Sequence, residues 1–226
     1  MNSILYRVLF FLVPALLPFA FFAAEHSMGA EQIHFFYSEF GPVEIFQETI
    51  LFICLFFSVY IFRKLKSDEN KWLKAWIGLA ALASFYVAFE EISWGQTFFN
   101  WQTPEEWARI NGQEETNIHN TSQLFNSVPR TLLEIAVLVG GVIIPLFLKF
   151  KPSKLPAIFS AIYPGSVVLF AGVVTLIVKL LEQTKGWFGV QVFYRKSEVM
   201  ETFLYYFVFL YLIDLFLKWK REGRLA

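Results

Sequence analysis

The sequence of 226 residues is short of both charge and cysteine. Only 17% of its residues are Asp, Glu, Lys or Arg, whereas soluble domains carry about a quarter. The formal net charge is zero, which gives no reason to expect a nucleic acid as partner. One cysteine, Cys54, excludes an intramolecular disulfide and a thiolate metal cluster. Hydrophobic residues make up 56% of the chain, a composition suited to a lipid bilayer as solvent.

Six apolar segments approach or exceed the length of about 20 residues at which a helix crosses a bilayer. They lie near residues 4–24, 43–62, 73–93, 131–148, 156–180 and 199–217. The expected fold class is therefore an all-α integral membrane protein, with residues 1–226 as a single polytopic domain. Arg7 before an apolar run is also a feature of signal peptides. A signal peptide would be cleaved after Ala24, and Phe22 is a poor residue three positions before that site. We therefore expect the first span to be retained.

The connections between the spans alternate in positive charge. Lys and Arg are concentrated in 63–74, 149–154 and 218–226, whereas 25–42 contains neither and 94–130 contains two arginines against four glutamates. Segment 181–198 is mixed, with Lys185, Arg195 and Lys196, and supports the alternation least. The positive-inside rule therefore predicts that both termini are cytoplasmic. The compact sequence without secretory elaboration leads us to expect a bacterial inner membrane. The tryptophans support these boundaries, with Trp72, Trp76 and Trp219 at the inner one and Trp94, Trp101, Trp107 and Trp187 at the outer one.

Ionisable residues next to or within the spans gather at the predicted outer side. They are Glu44, Glu48, Glu90, Glu91, Glu134, Lys179, Glu182, Glu198 and Glu201, with His26, His34 and His119 in the outer loops. Such groups are costly in a membrane and usually face the bundle interior, so they are functional candidates. Capping of helix N-termini is a sufficient reason for some of the carboxylates.

Glu90 and Glu91 require a different explanation, because they end a predicted helix, where negative charge is disfavoured. Each needs a cation, an arginine or a shared proton. Small residues repeat every four positions from Ala80 to Ala88 and indicate a closely packed helix face. Glu91 falls on that face and Glu90 lies about 100° away, nearer Trp94. We therefore expect Glu91 to point into the bundle.

The outer loop 94–130 is too long for a simple connection. Its sequence Thr-Pro-Glu-Glu at 103–106 has the pattern of a capping box and predicts an interfacial helix over 104–111, ended by Asn111-Gly112. The polar stretch around His119 is suited to cover the mouth of the bundle as a lid. In the next outer connection, Arg195 precedes Glu198 and is suited to neutralise part of the acidic cluster.

The outer polar residues indicate an enzyme acting on a lipid or lipid-linked substrate. Carboxylates with a histidine are able to bind a divalent metal, and the candidate ligands are Glu91, His119, Glu198 and Glu201. Glu90 or Glu48 is the candidate general base, so the catalytic set is Glu90, Glu91, His119 and Glu48. Zinc signatures such as HExxH are absent, so the cofactor stays open.

Two other classes of function remain open. One is a proton- or cation-coupled transporter or channel subunit, with Lys179 as counter-ion to buried acids. Against a transporter, the sequence shows no evident inverted repeat, and the inner half of the predicted bundle offers no polar path. The other is a non-catalytic scaffold or assembly subunit whose outer acidic surface docks a membrane partner protein. A homo-oligomer is compatible with each class.

Overall fold

The computed structural model describes residues 3–111 and 115–226, and it is 78% helical with no strand in those ranges. Within them, six helices are long and apolar enough to cross a membrane. They are α1 (Ile4–Ser27), α2 (Pro42–Lys64), α3 (Lys71–Glu91), α4 (Gln123–Phe150), α5 (Ser166–Phe188) and α6 (Lys196–Arg221). The prediction of an all-α, multi-pass membrane protein is confirmed.

Two of the predicted spans have different boundaries in the structure. The span placed near 156–180 begins only at Ser166, and it continues to Phe188. Residues 156–165 form short turns, because Pro156 and Pro164 remove backbone donors and restrict the residues before them. The span placed near 131–148 begins earlier, at Gln123, whose polar first turns hydropathy does not detect.

The predicted interfacial helix over 104–111 is shorter in the structure, where it covers Glu105–Ala108. Pro104 occupies the cap position, and no side chain caps the helix. The Thr103 hydroxyl instead accepts a hydrogen bond from Gln96 Nε2 at 2.9 Å, which draws it away from the helix start. The predicted stop residue Gly112 lies outside the described residues.

Helix α6 is the centre of the bundle. Of its 26 residues, 14 are buried, and they occur around its whole circumference. A helix that is apolar and buried all round has protein neighbours on every side. It packs on α2 and α5. The other long helices expose Phe, Leu and Ile side chains, as expected for surfaces that face lipid.

Helices α4 and α5 cross with their backbones in contact. A Cβ atom added to Gly172 would lie 2.7 Å from the carbonyl oxygen of Gly141, and one added to Gly141 would lie 2.7 Å from the ring of Phe207. Glycine therefore permits this crossing and lets both helices approach α6.

One end of the bundle joins the α2–α3 connection to the C-terminal residues. Lys66 N donates to Arg224 O at 3.1 Å, and Ala226 N donates to Lys64 O at 2.7 Å. With six spans, α1 begins at this same end, which the charge distribution predicts to be cytoplasmic. The opposite end contains residues 28–41, 92–111, 115–122 and 189–195.

Candidate functional site

A cavity of about 890 Å³ lies at the predicted outer end of the bundle. Its wall brings together the sequence-predicted residues Glu48, Glu90, Glu91, His119, Glu198 and Glu201. They come from α2, α3, the 92–122 connection and α6. In the described part of the chain, eight glutamates line the cavity, against the cations of Arg130 and Arg195. The cavity is thus an acidic chamber, lined by side chains from distant parts of the sequence.

The chain reverses sharply after α3, directly beyond the acidic pair Glu90 and Glu91. Ser93, Trp94 and Gly95 adopt positive φ angles of 46°, 56° and 101°. Such a conformation costs roughly 1–3 kcal/mol per non-glycine residue and persists only where the surroundings fix it. Here Asn117 Nδ2 donates to Ser93 Oγ at 3.0 Å, and Ser93 Oγ donates to Glu115 Oε2 at 3.1 Å.

Glu90 is buried, with 3% of its surface exposed, and both of its carboxylate oxygens have donors. Trp94 Nε1 donates to Oε1 at 2.7 Å. The backbone N–H groups of Ile118 and His119 donate to Oε2 at 2.7 and 2.8 Å, and His119 Nδ1 lies 3.4 Å from the same oxygen. The predicted orientation toward Trp94 is confirmed. The negative charge of Glu90 at the helix end is therefore compensated by backbone N–H groups of residues 118 and 119 and not by an arginine.

Glu91 faces the bundle interior, as its helical position predicts. Tyr205 of α6 donates its hydroxyl hydrogen to Glu91 Oε1 at 2.8 Å. Glu91 makes no other hydrogen bond or ion pair with a described residue. One carboxylate oxygen is therefore held in place, while the other is available to the cavity.

Glu44 and Glu48 lie four residues apart on α2 and both line the cavity. Neither carboxylate makes a hydrogen bond or ion pair with any residue in 3–111 or 115–226. Gln47 lies between them and donates from Nε2 to Glu198 O at 2.8 Å and to Thr202 Oγ1 at 2.9 Å. Gln47 thus ties α2 to α6, and its neighbours extend free carboxylates into the chamber.

An ion-pair network joins α4, α5 and α6 beside the cavity. Arg130 is its centre, at 2.7 Å from Glu182, 3.2 Å from Glu134 and 3.4 Å from Glu201. Lys179 pairs with Glu134 and Glu182, both at 2.8 Å. The sequence identifies Lys179 as a candidate counter-ion but does not single out Arg130. Its four-residue spacing from Glu134 was the available signal, because such pairs face each other on a helix.

His119 lies in the cavity wall beside three carboxylates. Burial alone would lower the pKa of its imidazole, but the contact with Glu90 and the negative charges of Glu91, Glu90 and Glu115 raise that pKa above its ordinary value. The His119 ring is therefore protonated up to a higher pH than a free histidine. Of the other two histidines, His34 lines the cavity and His26 bonds to Phe22 O.

The four predicted metal ligands share the cavity wall, but each has a protein partner. The pairs are Glu91 with Tyr205, His119 with Glu90, Glu198 with Arg195 at 3.3 Å, and Glu201 with Arg130. Across the described residues, no group of three or more His, Cys, Asp or Glu side chains is arranged to hold a metal ion. The metal assignment stays a prediction, and no chemical step below depends on it.

The chain has no match among protein-family models, curated proteins or solved structures.

Proposed function

We propose that the protein is a membrane-embedded enzyme that carries out acid–base chemistry on a lipid or lipid-linked substrate in the acidic cavity. One observation carries the proposal: His119 contacts a buried carboxylate, Glu90, and lies in the same wall as Glu91, which Tyr205 holds. A base whose orientation is set by a third group is the usual arrangement for proton transfer and nucleophile activation.

The proposal gives each group a separate proton role, which its contacts support. Nδ1 of His119 lies against Glu90, which leaves Nε2 as the nitrogen available to the cavity. Tyr205 occupies Oε1 of Glu91, which leaves Oε2. One of these two atoms accepts a proton from the attacking group, and the other group, in its acid form, protonates the leaving group. Glu48 is unpartnered and is a further base within the same chamber.

The lining of the cavity supports a lipid-like substrate with a cationic or neutral head group. The volume falls in the range of small-molecule sites. Apolar side chains, among them Ile33, Phe40, Phe125 and Leu204, share the wall with the carboxylates, a mixture that suits an amphipathic molecule. The excess of glutamates attracts cations and disfavours a phosphate with no positive group beside it.

The inner half of the bundle favours the enzyme over a transporter. Among the described residues, the buried polar side chains of α2 and α6 at that end are Ser58 and Asp214, and Asp214 accepts the N–H of Gly165. Below the cavity, the buried side chains of α6 are mainly apolar, with tyrosine hydroxyls such as that of Tyr206 bonded to other helices. The described residues of α2 and α6 thus place few polar groups between the cavity and the inner end.

The test is turnover of lipids by the protein reconstituted in vesicles. One set of vesicles contains a lipid with an amine head group, phosphatidylethanolamine, and the other contains phosphatidylglycerol, with products followed by mass spectrometry. We expect conversion in the first set, and a loss of about 100-fold or more in Glu91→Gln and His119→Asn. Glu105→Gln removes an exposed acid that does not line the cavity and is expected to retain the activity.

The proposal is wrong if neither vesicle set is altered, or if Glu91→Gln turns over at the wild-type rate. Elemental analysis of the same purified samples tests the predicted metal separately. Stoichiometric metal that is lost in both Glu91→Gln and His119→Asn would identify these residues as ligands.

A further inference from the structure

Glu90 differs from the other carboxylates of the cavity in how its oxygens are used. A carboxylate has about four acceptor positions. Glu90 uses one for the indole of Trp94 and three for the backbone and ring of Ile118 and His119. Glu44, Glu48 and Glu91 have free oxygens, as described above. Oε2 of Glu90 therefore has no acceptor position left for a substrate, and Oε1 already accepts the Trp94 indole.

The residues that Glu90 holds belong to a short segment, 115–121, which we call the lid segment. It forms part of the cavity wall through Glu115, His119 and Asn120. A second anchor lies at its start, where Thr116 N donates to Gln96 Oε1 at 2.6 Å and Asn117 Nδ2 donates to Ser93 Oγ at 3.0 Å. The first anchor, at Glu90, is thus the one that places the imidazole.

We propose that Glu90 is a positioning residue rather than the general base: it fixes the lid segment on the end of α3 so that His119 presents Nε2 to the cavity. The inference rests on the proposed function for its purpose, but the anchor itself is a property of the resting protein. It reassigns the role that the sequence predicted for Glu90, and it leaves proton transfer to His119, Glu91 and Glu48.

The chemistry of the anchor requires an ionised carboxylate. Two backbone N–H groups point at the same oxygen, so an amide in place of the carboxylate offers a weaker acceptor at one position and a donor at the other. Hydrogen bonds to a charged group are also stronger than neutral ones, and one such bond accounts for roughly a tenfold change in a local opening equilibrium. Glu90→Gln is therefore expected to release residues 118–119 specifically.

The experiment measures the lid segment in the full-length protein without any substrate. Hydrogen–deuterium exchange of peptides that cover 115–121 is compared between wild type, Glu90→Gln and Glu90→Asp, and the His119 ring is titrated by NMR with His119→Asn to assign its signal. We expect at least tenfold faster exchange in Glu90→Gln and a lower pKa of His119, since the variant removes one of the three carboxylates, Glu90, Glu91 and Glu115, that raise this pKa. Glu90→Asp is expected to restore part of the amide protection and part of the increase in the pKa of His119.

Glu44→Gln is the matched control, because it removes one cavity carboxylate that makes no contact with the lid segment. Equal effects of Glu44→Gln and Glu90→Gln, or no effect of Glu90→Gln on either reading, would overturn the inference. If Glu90→Gln does not fold, Ser93→Ala decides: it weakens the second anchor and must leave the 118–119 amides protected. Absent lipid turnover with this anchor intact would contradict the proposed function alone.

Discussion

Tyr205 and Glu91 join the centre of the bundle to the acidic cavity through one hydrogen bond of 2.8 Å between residues 114 positions apart. Tyr205 belongs to α6, the helix that is buried all round, and Glu91 ends α3. The helix that organises the fold therefore also sets the position of one proposed catalytic group, so packing and chemistry are coupled at this contact.

Removing the Tyr205 hydroxyl is expected to lower both stability and turnover. Tyr205→Phe leaves Glu91 without its donor, which costs about 1.5–3 kcal/mol of unfolding free energy for a bond to a charged group. Tyr206→Phe is the matched control: its hydroxyl donates to Leu9 O at 2.9 Å, a neutral bond, and the expected cost is about 1 kcal/mol with turnover unchanged. Thermal unfolding in detergent and lipid turnover measure the two effects, and equal turnover in both variants would contradict the role of Tyr205.

Arg130 is expected to be the most sensitive charged residue of the bundle. Arg130→Ala leaves Glu134, Glu182 and Glu201 with less compensation, and breaking a buried pair costs about 3–5 kcal/mol. Arg195→Ala is the contrast, since its side chain is 52% exposed and has Glu198 as its ion-pair partner, so the expected cost is under about 1 kcal/mol. Thermal unfolding of both variants tests the difference; a similar loss in each would show that Arg130 is not the centre of the network.

The crossing of α4 and α5 is expected to reject a single methyl group. Gly172→Ala places a Cβ atom 2.7 Å from Gly141 O, and overpacking of this kind costs about 1–3 kcal/mol. Gly140→Ala is the control, because nothing lies within 4 Å of its Cβ position. This change is expected to be neutral or stabilising by up to about 1 kcal/mol, as alanine favours helix. Unfolding temperatures in detergent decide, and equal tolerance at both positions would rule out the close crossing.

Stability is expected to depend on pH through His119. Its pKa in the folded protein is raised by Glu90, Glu91 and Glu115, which face the ring. The protonated ring therefore stabilises the native state fully below its ordinary pKa of 6.5, and this contribution is lost as pH rises through the folded value. His119→Gln removes that component, whereas His26→Gln, at an exposed site, retains it. The unfolding temperature measured as a function of pH reports this contribution. Identical profiles for wild type and His119→Gln would refute the role of His119 in stability.

The sidedness of the cavity is open to a direct labelling experiment. In a Cys54→Ala background, Gln102→Cys is expected to react with a membrane-impermeant thiol reagent in intact cells. Ser67→Cys, in the exposed α2–α3 connection, is expected to react only after permeabilisation. The opposite pattern would place the cavity in the cytoplasm and would invert the topology predicted from Lys and Arg.

The number of spans could be predicted from the sequence because hydropathy and length measure the property that a bilayer selects. The error at 156–165 arose because these residues are apolar enough to continue a span, while Pro156 and Pro164 prevent a regular helix there. The early start of α4 was missed for the opposite reason, since a polar N-terminal turn carries no hydropathy signal.

The candidate site was predictable as a region but not as a set of contacts. Helical geometry was enough to separate Glu91 from Glu90, because both lie on one regular helix. The donors to Glu90 were not predictable, since they are backbone groups 28 and 29 residues away whose approach depends on the left-handed turn at 93–95. The same holds for the pairing of Arg130 with Glu182 and Glu201, which requires the packing of α4 on α5 and α6.

The buried position of α6 has a consequence for how the protein is made. Because synthesis proceeds from the N-terminus, α1 to α5 leave the ribosome before the helix that fills the space between α2 and α5. During that interval the inner faces of these helices, with Gln47, Glu48 and Glu91, have no α6 to pack against. Insertion of α1 to α5 is therefore expected to leave a groove beside α2 and α5 that is filled only when α6 arrives.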